Sequence, residues 1–327
     1  MLFNTTEDDG FNLLGLSEYP NLQFLLFLIF LLSYILSVLE NITLILIIYL
    51  DSHLQKPMYF FLCILSFIDI FFTSLIVPKL LSTFVNIRRI SFLQCMIQAF
   101  VFITLQSAEF LIITVMSYDR YVAICNPFRY NYVLNRKNCI LLVALTWLIS
   151  LLGPYPIIYM MSQFPFCKSH VIDHLFCDLV PLLQLACGDT SFLESVMLME
   201  GGSMLILALF FTCISYIFII RVISKIPSSR GKYKAFSTCS SHLIVITMLY
   251  LSLILVYLKK PSKNNPHSTK MVSILNTVVI PILNPLLYSL RNNEVKEAFH
   301  RCVRKVIMMN DPVRPVFCPK SSNQIET

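Results

Sequence analysis

The feature that most constrains this sequence is a series of seven long apolar runs. They span residues 22–50, 58–80, 93–125, 139–162, 196–222, 235–258 and 270–290. At a rise of 1.5 Å per residue, a helix of each length crosses a hydrocarbon layer about 30 Å thick. Only 13% of the residues are charged, whereas soluble domains carry about 25%. The runs therefore predict an all-α membrane protein, a bundle of seven transmembrane helices.

The distribution of Lys and Arg predicts how this bundle is oriented. An odd number of spans puts the two termini on opposite sides of the membrane, and short cytoplasmic loops are enriched in Lys and Arg. With the N-terminus outside, the cytoplasmic segments hold sixteen of these residues and the outer segments hold eight. We therefore predict an extracellular tail over residues 1–21, a transmembrane domain over 22–290 and a cytoplasmic segment over 291–327. The net charge of +7 then lies beside the anionic lipid bilayer, and no nucleic-acid partner is expected.

Glycosylation and disulfide chemistry are both expected on the outer side. Asn4-Thr5-Thr6 is a glycosylation sequon in the extracellular tail, so we expect a glycan on Asn4. Four cysteines also face this oxidising compartment, where disulfides persist. They are Cys95, at the outer start of the third span, and Cys167, Cys177 and Cys187 in the long loop before the fifth. Spacing alone leaves all three pairings of these cysteines open.

Polar residues within the spans are few, and each is costly enough to need a structural or functional reason. Asn41, Asp69, Glu109 and Asn284 fall at comparable depths once the helices run antiparallel. Two carboxylates that face one bundle interior either attract a cation or keep a proton. The alternative is a polar network that only ties the helices together. The residues leave a sodium-like ion site and a structural network equally open, and they indicate no other cofactor.

Seven spans also occur in transporters, light-driven pumps and channels, so topology alone does not assign a function. A transporter is expected to show inverted repeats and helices interrupted by Gly or Pro, whereas this chain has 7 Gly and no visible repeat. A retinal protein needs a Lys within its last span, and residues 271–290 contain none. No nucleophile-base set is evident, so an enzyme is not expected. A channel or transporter remains the rival to a receptor.

Four motifs at the helix ends carry more specific information. Met116–Cys125 reads MSYDRYVAIC at the inner end of the third span, where Asp119 would hold the guanidinium of Arg120 until something displaces it. The others read PMYFFL (57–62) entering the second span, KAFSTCSSHL (234–243) entering the sixth, and PILNPLLYSLRN (281–292) ending the seventh. Together these motifs strongly resemble the vertebrate odorant receptors, a branch of the rhodopsin-like G-protein-coupled receptors. The resemblance covers nearly the whole chain, from Asn41 to Asn292.

The resemblance implies a receptor for a small odorant that activates a stimulatory, cyclase-activating heterotrimeric G protein. It implies a plasma-membrane location in the cilia of sensory neurons. Residues that match the family's coupling switch are Asp119, Arg120, Tyr121, Tyr216, Asn284, Pro285 and Tyr288. Arg120 would engage the G protein once it is released from Asp119, and Tyr216 and Tyr288 would swing toward it. Pro285 removes a helical hydrogen bond, which agrees with a deformable point at Asn284-Pro285.

The resemblance also implies the disulfide pairs Cys95–Cys177 and Cys167–Cys187 and a ligand site in the outer halves of four spans. Matching positions in the third, fifth, sixth and seventh spans are Phe102, Ile103, Gln106, Ser107, Gly201, Met204, Tyr250, Leu253, Ile254, Tyr257, Ile274, Thr277 and Val278. Most are apolar, as expected of a site for small, weakly soluble molecules. No amine-binding acid occupies the outer half of the third span, so a biogenic amine is not expected. A non-olfactory rhodopsin-like receptor is the alternative.

A short amphipathic helix is expected after the seventh span. Val295, Phe299 and Val303 recur there at helical spacing among basic neighbours, which is typical of a helix that lies on the inner membrane surface.

Two features depart from the family pattern. Glu40 precedes Asn41 where relatives usually have Gly, which predicts a third carboxyl group near Asp69 and Glu109. Residues 249–251 read Leu-Tyr-Leu where relatives have Phe-Tyr-Gly, which predicts a stiffer sixth span.

Overall fold

A computed structural model of the chain describes residues 10–16, 19–167, 169–258 and 266–310. Its helices are α1 (Gln23–Leu50), α2 (Pro57–Phe84), α3 (Phe92–Cys125), α4 (Tyr130–Val133), α5 (Arg136–Leu152), α6 (Pro154–Ser162), α7 (Leu179–Leu185), α8 (Ser191–Lys225), α9 (Ser229–Leu258), α10 (Pro266–Ile274), α11 (Ile280–Arg291) and α12 (Asn293–Asn310). Three short strands are β1 (Phe11–Leu13), β2 (Arg89–Ile90) and β3 (Val171–Ile172). The predicted glycan at Asn4 lies outside the described residues.

Seven spans form the bundle, as the apolar runs predict. Six are long and apolar enough to cross a membrane: α1, α2, α3, α5 with α6, α8, and the stretch Thr269–Ser289. The remaining span is α9, whose apolar part is the shorter stretch His242–Ser252. The helices α8 and α9 begin at Ser191 and Ser229, before the apolar runs at 196 and 235. Their first turns include polar or charged residues, such as Glu194 and Arg230, so hydropathy alone does not reveal them.

Proline interrupts the seventh span. Between α10 and α11 lies a π-helical turn, Leu275–Val279, in which the N–H of Ile280 bonds to the carbonyl of Leu275. Pro281 follows and has no N–H to donate to the preceding turn, which explains the wider hydrogen-bond register before it. The sequence predicted a deformable point at Asn284-Pro285, and the structure shows a second irregularity one turn earlier.

A small sheet and two disulfides organise the outer surface. In the tail, β1 pairs antiparallel with β2 through Phe11 and Ile90, and it pairs parallel with β3. Disulfides join Cys95 to Cys177 and Cys167 to Cys187, the pairs that the resemblance implies. The sheet was not predicted, because strands of two or three residues are too short to show an alternating pattern.

On each helix, the side that faces the bundle axis contributes to the core, and the opposite side faces lipid. Large buried side chains from α2, α3 and α11 fill the centre, among them Phe61, Phe72 and Tyr288. Exposed apolar side chains on α1, α5 and α8, such as Phe24 and Leu148, face outward, as expected for contact with lipid. Beyond the bundle, α12 buries Val295 against it, so the helix predicted after the seventh span is confirmed.

Candidate functional site

The inner end of α3 holds a buried ion pair. Arg120 donates from Nε to Oδ2 of Asp119 at 2.9 Å, and its Nη2 donates to the same oxygen. The other carboxylate oxygen, Oδ1, accepts from the hydroxyl of Tyr130 on α4 at 2.7 Å. Asp119 is fully buried and Arg120 is 8% exposed. A pair withdrawn from water in this way depends on every hydrogen bond it makes, so loss of one partner weakens the hold on Arg120.

Sequence reasoning gave Tyr130 no role, because the residue lies in the loop after the third span. Burial and the neighbouring Asp119 carboxylate raise the pKa of Tyr130 above its ordinary value. Its hydroxyl therefore stays protonated at physiological pH and stays a hydrogen-bond donor to Asp119.

Three further switch candidates lie on α8, α9 and α11. The Tyr216 hydroxyl is 2.7 Å from Nδ1 of His242, and both side chains are buried. Tyr288 is 1% exposed, and among the described residues its hydroxyl has no hydrogen-bond partner. A buried hydroxyl without a partner raises the free energy of this arrangement. His242 lies in the KAFSTCSSHL motif that enters the sixth span, and the structure adds it to the switch region.

Tyr121 lies beside this region. Its ring contacts that of Phe218 on α8, with ring centroids 5.7 Å apart.

A polar cluster lies at the centre of the bundle. Asn284 donates from Nδ2 to Asp69, at 3.0 Å from Oδ2, and to Glu109, at 3.4 Å from Oε1. All three residues are buried. The two carboxyl groups thus converge on one amide, and they provide oxygen atoms of the kind that hard cations bind. Within the described residues there is no group of three or more His, Cys, Asp or Glu side chains that could hold a metal ion.

Asn41 does not join this cluster, contrary to expectation. It donates to the carbonyls of Ser37, at 2.9 Å, and Pro281, at 3.1 Å. The Pro281 carbonyl would normally accept from the N–H four residues later, but that residue is Pro285, which has no N–H. Asn41 therefore supplies the donor that the proline removes, and it ties α1 to the seventh span.

The expectation for Glu40 was also wrong. Glu40 lines a groove between α1, α11 and α12, and neither Asp69 nor Glu109 lines that groove. Successive residues of a helix point about 100° apart. Since Asn41 faces the seventh span, its neighbour Glu40 is turned toward the outside of the bundle.

The predicted ligand residues occupy the outer half of the bundle with different degrees of burial. Phe102, Tyr250, Thr277 and Val278 are buried, whereas Ile103, Gln106, Ser107, Gly201, Met204, Ile254 and Ile274 are half-buried. The side chains of Leu253 and Tyr257 lie outside the described residues. The Tyr250 hydroxyl is 3.2 Å from that of Thr212 on α8, and the Thr277 hydroxyl donates to the Ser273 carbonyl. These two hydroxyls already have protein partners, whereas Gln106 and Ser107 are the half-buried polar members of the set.

The outer loop is fastened to α10 by contacts that the sequence did not reveal. Lys270, 1% exposed, donates from Nζ to Oδ1 of Asp173 at 2.5 Å. Nε2 of His174 is 3.2 Å from the Ser273 hydroxyl. Burial lowers the pKa of His174, so the imidazole is neutral at pH 7.

Aromatic contacts continue from the loop into the bundle. The His174 ring packs edge-on against Phe176, with centroids 4.9 Å apart. Phe176 in turn contacts Phe102 on α3, with centroids 4.6 Å apart. The loop thus reaches the predicted ligand residues directly.

The inner ends of α2 and α12 are joined by a second polar network. Glu294 accepts from Lys56 at 2.7 Å and from the Tyr59 hydroxyl at 2.8 Å. Asn292 donates to the same hydroxyl at 3.0 Å. These bonds fix the start of α12 against the bundle.

The fold and the site define a rhodopsin-like heptahelical receptor. It has seven spans, a loop disulfide-bonded to the outer end of the third span, and an arginine held in an ion pair at the inner end of that span. A family model described as olfactory receptor matches residues 30–308. The chain is 46% identical over 305 residues to human olfactory receptor 6C1, with 93% of this chain and 98% of that protein covered. It is 47% identical to human olfactory receptor 6C3 with the same coverage, and 43% identical to human olfactory receptor 2AP1 over 93% and 99% of the two chains.

The chain belongs to the olfactory receptor family. It is an odorant receptor of the multi-pass membrane type that couples to a G protein, and not an enzyme. This membership removes the channel and transporter alternatives left open by the topology.

Proposed function

We propose that the receptor binds a small, mostly apolar odorant in the outer half of the bundle and activates a stimulatory, cyclase-activating G protein. The observation that carries this proposal is the buried Asp119–Arg120 pair, capped by Tyr130. A guanidinium held in this way at the inner end of α3 can bind a partner protein once it is released, because release exposes five hydrogen-bond donors at once.

The odorant site is proposed among α3, α8, α9 and the seventh span. Half-buried Ile103 and Met204 supply apolar surface, and Gln106 and Ser107 supply hydrogen bonds that orient the ligand. Phe102 supports the site from behind, since its ring packs on Phe72 and Phe176.

Activation is proposed to proceed by a movement of α9 relative to α3. Tyr216 and His242 join α8 to α9 at a hydrogen bond of 2.7 Å, so a shift of α9 disturbs both side chains. Tyr288 lacks a partner among the described residues, and rotation toward Arg120 would give it one. Arg120, released from Asp119, then contacts the C-terminal segment of the G protein.

The proposal is tested by ligand-evoked cyclic AMP in cells that express Arg120→Ala, after a broad odorant panel has identified an agonist. Arg120→Ala is expected to abolish the response at matched surface expression. Arg129→Ala removes the same charge from an exposed position in the adjoining loop and serves as the control. An undiminished response in Arg120→Ala would remove this residue from the mechanism, and a response carried by another G protein would refute only the stimulatory type.

We also propose that Asp69 and Glu109 form a regulatory site for a monovalent cation such as sodium. The support is the convergence of two buried carboxyl groups on Asn284. Sodium chloride is then expected to raise the unfolding temperature above that in choline chloride of equal ionic strength. Asp69→Asn is expected to remove the difference. Equal unfolding temperatures in the two salts would leave a proton-bearing structural network as the correct reading.

Localisation and modification complete the proposal. We place the receptor in the plasma membrane of sensory neuron cilia, with residues 1–21 outside and residues 291–327 inside. A glycan on Asn4 predicts an electrophoretic shift on enzymatic deglycosylation that Asn4→Gln lacks. Antibody access to an N-terminal tag in intact cells, together with no access to a C-terminal tag, tests the orientation.

A further inference from the structure

A groove opens on the lipid-facing side of the bundle where α1, α11 and α12 meet. Its two adjoining parts have volumes of about 340 Å³ and 280 Å³, and both are lined by Thr43, Ile47 and Phe299. Leu44 and Leu286 continue the apolar wall of the larger part. The groove lies at the inner end of the first span, so it is separate from the proposed odorant site.

One polar group lies deep in this groove. Glu40 precedes the inner end of α1, at Leu50, by ten residues, which corresponds to about 15 Å along the helix. Its Oε2 atom is buried and has no hydrogen-bond partner within the part of the chain that the structure describes. A carboxyl group at membrane depth without a partner is costly. The groove therefore contains an unsatisfied polar atom that an occupant can satisfy.

Two basic side chains stand at the other edge. Lys296 and His300 both line the groove and are exposed on α12. They are four residues apart, so they lie on one face of the helix. Because α12 lies on the inner membrane surface, this face meets lipid headgroups, where basic side chains attract anionic lipid.

We propose that the groove binds one anionic phospholipid of the inner leaflet. Lys296 and His300 contact the phosphate, and an acyl chain lies against Ile47 and Phe299. The carboxyl group of Glu40, in its neutral form, donates a hydrogen bond to an ester carbonyl of the lipid. Such a molecule matches the order of groups in the groove: cationic rim, apolar wall and a donor below the rim.

Native mass spectrometry of the full-length receptor tests the headgroup contact. The purified protein is titrated with phosphatidylserine or phosphatidylcholine that carry identical acyl chains. We expect tighter binding of phosphatidylserine, and about a fivefold loss of that affinity in Lys296→Ala. Arg304→Ala removes a charge from an exposed position of α12 that does not line the groove, and it is expected to keep the preference. Equal binding of the two lipids by the wild type, or an equal loss in both variants, would overturn the proposal.

Substitutions inside the groove test the remaining contacts. Glu40→Leu is expected to weaken binding of both lipids, whereas Glu40→Gln keeps a donor and keeps the affinity. Leu39→Trp fills the groove from its exposed wall and is expected to abolish binding with every charge intact. Unfolding temperatures identify any variant that is simply misfolded. Undiminished binding in Leu39→Trp would place the lipid elsewhere. Displacement of the phospholipid by a sterol, with no effect of Lys296→Ala, would make the occupant a sterol.

Discussion

Removal of the Tyr130 hydroxyl is expected to raise the ligand-independent activity of this receptor. The hydroxyl donates to the buried carboxylate of Asp119 at 2.7 Å, and a hydrogen bond to a charged group contributes about 1.5–3 kcal/mol. Tyr130 is only half-buried, so we take the lower end, about 1.5 kcal/mol. Tyr130→Phe removes this contribution from the state in which Asp119 holds Arg120. The equilibrium then shifts about tenfold toward the released state.

The size of the effect depends on how many receptors are released at rest. A minor state populated at about 1% would rise to about 10%, which multiplies the basal signal by nearly the same factor. Nucleotide exchange on purified G protein, driven by receptor in nanodiscs without odorant, measures this signal. The matched control is Tyr132→Phe, because Tyr132 lies in the same loop and is 83% exposed. Unchanged exchange by Tyr130→Phe, or the same rise in Tyr132→Phe, would refute the reasoning.

Three other outcomes are expected. Tyr59→Phe removes the hydrogen bond that Tyr59 donates to Glu294 and the one that it accepts from Asn292. It is expected to lower the free energy of unfolding by about 1–2 kcal/mol, measured by thermal unfolding against Tyr49→Phe at a 79% exposed site. Cys177→Ser opens the disulfide to Cys95 and is expected to cost about 2–4 kcal/mol; undiminished surface expression would argue against that. The lowered pKa of His174 means that the unfolded state binds the proton more tightly, so stability is expected to fall as the pH drops below about 6.5. His174→Gln is expected to flatten that pH dependence of the unfolding temperature, and a profile identical to wild type would contradict it.

The contacts of the switch residues include one that the motif predicts and one that it does not. Asp119 and Arg120 are neighbours in the sequence, so their ion pair could be predicted from the motif alone. Tyr130 bonds to Asp119 from eleven residues away, after the helix has ended and the chain has turned. That contact depends on where α4 packs, which no local pattern encodes.

For the polar residues of the spans, the sequence predicts the depth in the membrane but not the direction in which each side chain points. Asp69, Glu109 and Asn284 were predicted to share a depth, because the rise of a helix is fixed and depth can be counted from the helix ends. Which side each residue faces depends on helix rotation. Asn41 turned toward Pro281, 240 residues away, and Glu40 turned toward the groove.

By itself, the sequence determined the number of spans and the amphipathic α12, and it predicted the orientation of the spans. These properties follow from hydrophobic thickness, charge and local periodicity, each of which is carried by a continuous stretch of residues. Tertiary structure decided the outer sheet, the Lys270–Asp173 contact across 97 residues and the groove beside α12. Each of these joins short or distant segments, and the free energy that selects them arises only when the helices pack together.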